Sequence, residues 1–79
     1  MGLDHKQALQ LARDGHWERA HEMVQPYSDK MACLIHAYLH REEGDLSNAG
    51  YWYRRAGEKM PDNTLEAELK RLAALLNAE

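Results

Sequence analysis

The sequence predicts an all-α domain of five helices, and three observations carry that prediction. Apolar residues recur at helical spacing along the chain, with no alternating run that would make a strand. Gly15, Pro26, Gly44 and Pro61 interrupt the pattern where helices would stop. The chain also repeats itself: Gly15-His-Trp-Glu-Arg-Ala20 and Gly44-Asp-Leu-Ser-Asn-Ala49 share a glycine, a bulky apolar residue two later and an alanine five later. Ala8 and Ala37 lie seven residues before the two glycines, and Val24 and Tyr53 nine after. Self-similarity of this kind in a helical chain signals stacked helix-turn-helix units, because one hairpin cannot bury its apolar faces alone.

Each helix follows from its caps and its apolar face. Asp4, with Gln7 three residues on, caps a first helix over about 5–14, which Gly15 stops; its inner face is Ala8, Leu11 and Ala12. The second helix runs from about Trp17 to Gln25, with Trp17, Ala20, Met23 and Val24 on one side, and Pro26 cannot continue it. Ser28 is the expected cap of the third, about 29–43, which Gly44 ends. Asp45 caps the fourth, where Leu46, Ala49, Tyr53, Ala56 and Met60 recur until Pro61. Gly50 and Gly57 fall inside that helix, and each costs about 1 kcal/mol against Ala there, so close packing is the expected reason for both. Asn63 with Glu66 forms a capping box for a fifth, over 63–77, along which Leu65, Leu69, Leu72 and Leu76 draw a stripe. The third helix is apolar on two sides, Cys33, His36, Ala37 and His40 on one and Met31, Leu34, Ile35, Tyr38 and Leu39 on much of the other, which places it at the centre.

Composition excludes several function classes. Ten Lys and Arg against 13 Asp and Glu give a net charge of −3, whereas a nucleic-acid binder needs a clustered basic excess. The longest apolar stretch, Met31 to Leu39 broken by His36, falls far short of the roughly 20 residues of a membrane span. Lys6 stands where a myristoylation signal carries Ser or Thr, so no lipid anchor is expected. A lone Cys33 cannot form an internal disulfide, and no basic segment leads into an apolar run at the start, so a cytoplasmic location is expected. With 79 residues in one domain, about 40% of the unfolded surface stays exposed, and a homodimer through the fifth helix or the open face of the first is the expected remedy.

From Ala32 to Asn63 the chain resembles a tetratricopeptide repeat. The resemblance rests on Ala37 in the first helix, Gly44-Asp45 at the turn, Ala49, Tyr53 and Ala56 down the second, and Pro61-Asp-Asn63 at the exit. The run from Asn48 to Gly57 is closer still to the second helix of the related Sel1-type repeat, and His36 to Gly57 also resembles short uncharacterised bacterial proteins. The two turn glycines are 29 residues apart where the family period is about 34, so the first unit, 5–27, is a shortened copy of the second, 28–61. The repeat family implies a non-catalytic module that binds protein or peptide in a groove lined by first helices. Where that family carries large apolar residues on its first helix, this chain has His36 and His40.

Those histidines open a second reading, a metal- or small-ligand-binding protein. His36 and His40, four apart, project from one face with a spacing suited to joint ligation. Glu18 and His21 form a pair three apart on the second helix, and Glu43 follows His40 at the same interval. Zn²⁺ suits such a mixed imidazole and carboxylate set, and Ni²⁺ or Fe²⁺ fits the same residues. The plainer alternative is packing, with one histidine bonded to a backbone carbonyl or to Tyr51. Cys33 and His36 pair a thiol with a base, but no orienting acid accompanies them. Tyr51, Asn48 and Arg55 share the polar side of the fourth helix and form the best candidate partner surface.

Overall fold

The computed structural model describes residues 2–78, and among them it contains five helices and no strand. They are α1 (His5–Arg13), α2 (Trp17–Val24), α3 (Lys30–Glu42), α4 (Leu46–Arg55) and α5 (Leu65–Asn77). The repeated sequence motif is a repeated turn. Gly15 and Gly44 take left-handed φ values of +84° and +86°. Each allows two amides to fold back: Gly15 N–H to Ala12 and His16 N–H to Leu11 after α1, Gly44 N–H to Arg41 and Asp45 N–H to His40 after α3. This double closure satisfies carbonyls that a helix end would otherwise orphan, and it aims the chain into the next helix.

Three helix ends differ from expectation. Asp29, not Ser28, caps α3: its carboxylate accepts the Ala32 amide at 3.2 Å, while the Ser28 carbonyl takes the Cys33 thiol at 3.5 Å. Thr64, not Asn63, caps α5, because the Asn63 side chain is engaged elsewhere. Helix α4 ends at Arg55, and Gly57 is its left-handed stop at φ +81°, not an interior packing residue. A Cβ on Gly50 would meet only the Arg54 guanidinium, so no neighbouring helix requires that glycine either. Met60, beyond the early end of α4, is exposed, as is Leu46 at its first turn, while Ala49, Tyr53 and Ala56 are buried as the spacing required.

Helix α3 packs against all four others, and every residue from Met31 to His40 is buried. Helix α5 lies on both α3 and α1, and the other four helices all pack on α3. Its stripe is buried at Leu72 and Leu76 and partly buried at Leu65 and Leu69. Because α5 returns to α1, Leu9 is buried and the open α1 face expected to seat a second subunit is covered.

A buried carboxylate fastens α5. Glu68, fully inaccessible, accepts hydrogen bonds from Tyr53 Oη (2.7 Å), Asn63 Nδ2 (3.0 Å) and Arg71 Nε and Nη2 (2.8 Å each). Arg41 of α3 then donates to the side chain of Asn63 at 2.8 Å. Burial pushes the Glu68 carboxyl up, but the bonds from Arg71, Asn63 and Tyr53 outweigh it and hold it at about 2. One acidic residue thus joins α3, α4, the linker and α5.

Candidate metal centre

Three histidines meet in the seam between α2 and α3. His36 and His40 stand one turn apart on α3, and α2 brings His21 against them. One ring nitrogen from each lies within 4.8 Å of the other two. Ring centroids are separated by 4.6 Å for His21 and His36, 4.9 Å for His36 and His40, and 5.3 Å for His21 and His40. A tetrahedral Zn²⁺ with Zn–N bonds of about 2.0–2.1 Å holds imidazole centroids about 5 Å apart, so the spacing of the three rings matches that of rings sharing one ion.

Two indoles wall the seam. Trp52 stacks on His36 at 3.9 Å, and Trp17 stacks on His21 at 4.7 Å while its edge meets His40 at 5.9 Å. Trp17 is itself fixed, its Nε1 donating to the Leu39 carbonyl at 2.7 Å. His36 is 2% exposed and His40 6%, whereas His21 is only partly buried.

The electrostatics favour neutral rings. Burial, then the neighbouring His21, His40 and Arg55, pulls the His36 imidazolium down to about 3, so the ring is uncharged at any physiological pH. Burial and His40 also lower His21, against smaller opposing effects of Glu43 and Glu22. His36 Nδ1 is buried with no hydrogen-bond partner. His40 Nδ1 lies 2.6 Å from Glu43 Oε1. A carboxylate only accepts, so Nδ1 carries a proton and Nε2 is the ring nitrogen free of Glu43.

The other expected residues fall as follows. Glu18 is exposed and outside the cluster: Trp17 occupies the seam four residues before His21, which turns Glu18 about 100° round α2. Glu43 stays beside the cluster, bonded to His40. It also groups with His40 and Asp45, but Asp45 already caps α4 by accepting the Asn48 amide at 3.3 Å. Tyr51 does not bond to His36; it meets Trp52 edge-on at 5.2 Å. Arg55 lies 4.8 Å over Trp52 and 5.8 Å over Tyr51, so Tyr51 and Arg55 form an exposed face with Asn48 half-buried beside them. Burial raises the Cys33 thiol, with opposing minor effects of Arg55 and Asp29, and its Sγ is directed to Ser28, so Cys33 and His36 do not form a nucleophile and base.

The Glu68 network was not anticipated from sequence, although a signal exists. Glu68 lies three residues after Leu65 and four before Leu72, on the face of the leucine stripe, with Arg71 three further on. Compared with family models, with curated proteins and with solved structures, the chain matches none.

Proposed function

We propose that the protein binds a first-row divalent metal, Zn²⁺ foremost, through His21, His36 and His40, with Glu43 orienting His40 from outside the coordination sphere. The observation that carries this reading is His36 Nδ1, a buried lone nitrogen without a partner in a ring that touches two further imidazoles. Leaving such an atom unsatisfied costs about 1–3 kcal/mol, and a metal bond removes that cost. The hydrogen bond from His40 to Glu43 is the second support, since metal-bound histidines commonly give their other N–H to a carboxylate. Imidazole suits Ni²⁺ and Fe²⁺ as well, and the choice among them follows availability as much as affinity.

The test is elemental analysis of protein purified without an affinity tag, joined to melting curves with and without added ion. Zinc at a hundredfold excess over Kd adds about 2.7 kcal/mol to the folded state, and His40→Ala abolishes the increment with helical content intact. If zinc, nickel and iron all leave the wild-type melting temperature unchanged, the histidines are packing residues.

A second reading, a protein- or peptide-binding module of tetratricopeptide-like type, draws its support from the exposed face of Tyr51 beneath Arg55 on α4. Aromatic and arginine side chains of this kind anchor interfaces. The groove of first helices has no such support, because residues 31–40 of α3 are all buried. A cytoplasmic location, where thiols stay reduced, accords with the free and buried Cys33.

A further inference from the structure

We infer that the metal held by His21, His36 and His40 keeps one exchangeable coordination position, which takes water, hydroxide or another small anion. This rests on the metal reading above and specifies what completes the site. A tetrahedral ion needs four donors, and the described residues bring three together. Each nearby side chain that offers a fourth is engaged or lies outside the cluster, the exposed Glu22 of α2 among the latter. Glu43 is bonded to His40 Nδ1, Asp45 caps α4, Cys33 Sγ donates to Ser28, and Glu18 is exposed outside the cluster. The fourth donor therefore comes from solution.

The direction of the opening follows from burial. His36 and His40 back onto the packed core, whereas His21 is partly exposed, so the coordination sphere meets solvent beside His21. Trp52 against His36 and Trp17 against His21 leave a narrow approach. The neighbouring recess, lined by Gly15, His16, Trp17, Glu18 and Arg19, includes none of the three ligands. With an indole against each of two rings, the ligand that fits this position is a species of a few atoms. Charge selects its sign: three neutral imidazoles leave the full double positive charge on the ion, so an anion is favoured over a neutral donor. Water on such an ion ionises near neutrality, which makes hydroxide the resident ligand in the absence of competitors.

The experiment uses Co²⁺ in place of Zn²⁺ and azide as the probe. The expected result is a tetrahedral visible spectrum that azide alters in a saturable one-to-one titration, and that His21→Ala loses while its far-ultraviolet dichroism stays helical. X-ray absorption of the zinc form checks this independently, with three imidazoles and one further light donor expected. A tetrahedral spectrum that a large excess of azide leaves unchanged overturns the open position, since a protein group must then fill it, while leaving metal binding intact. A Co²⁺ spectrum identical to that of the free ion removes the metal reading itself, and this inference with it.

Discussion

Acidifying the metal-free protein is predicted to destabilise it through His36. In the unfolded chain this ring titrates at about 6.5, but burial first, then His21, His40 and Arg55, holds it at about 3 in the fold. A histidine whose folded pKa is depressed gives stability that is complete above the unfolded value and is lost as pH falls toward the folded one. The loss therefore begins near pH 6.5 and accumulates at about 1.4 kcal/mol for each pH unit, reaching roughly 2–3 kcal/mol by pH 4.5. That is a large part of the 5–15 kcal/mol typical of a domain. Glu68, held at about 2, adds a loss of the same sign only below about pH 4.5, so the two windows separate. Chelator-treated protein titrated with urea at pH 7, 6, 5 and 4.5, followed by circular dichroism, measures the slope. His36→Gln removes most of it, leaving a smaller contribution of the same sign from the lowered His21. Flat stability between pH 7 and 5, or stability that rises on acidification, would refute a buried neutral His36.

Three further outcomes follow from the same contacts. Glu43→Gln weakens zinc binding about 10–100-fold by disturbing the partner of His40 Nδ1, and isothermal titration with zinc measures it against unchanged helical content. Glu68→Ala costs about 3 kcal/mol in urea denaturation, because it strips the buried Tyr53 hydroxyl and the Asn63 amide of their acceptor, leaves Arg71 with Glu58 alone and opens a hole between α4 and α5. Zinc slows amide exchange in α2 more than in α4 or α5: α2 buries only Ala20 and Val24, has no side-chain cap and packs against α1 and α3 alone, yet supplies one of the three ligands. Uniform protection on adding zinc would refute that last expectation.

Most of the architecture was legible because its signals are local. Asp4 and Asp45 cap where expected, Gly15 and Gly44 turn where the repeat placed them, and the two-sided apolar pattern of α3 identified the central helix. What sequence reading lost was set by contacts distant along the chain. Asn63 reads as a cap, but its amide is drawn to Glu68 and Arg41, and the cap passes to Thr64. Gly57 reads as an interior residue because Met60 continues the helical spacing, yet the chain turns there. Leu9, not among the residues assigned to the inner face of the first helix, is buried because α5 folds back onto α1. The candidate site divides in the same way: the spacing of His36 and His40 is local and was readable, whereas the entry of His21 without Glu18 depends on which face of α2 Trp17 occupies.

His36 conflicts with its surroundings, and the conflict bears on function. It sits on the helix that every other helix touches, 2% exposed, between Cys33 and Ala37, where an aliphatic side chain would bury no polar atom. Positions where a chain departs from its own packing rules are expected at functional sites. The two readings of the seam then give opposite signs for one substitution. If the ring is there for a metal, His36→Leu removes an orphaned nitrogen, stabilises the metal-free protein by about 1–3 kcal/mol and abolishes zinc binding. If the stack on Trp52 is what the position requires, the same change destabilises the apo protein and leaves its response to zinc as weak as before. Urea titrations of both proteins, each with chelator and with zinc, distinguish the cases. A destabilised His36→Leu variant together with a zinc-insensitive wild type would return the histidines to the core as packing residues.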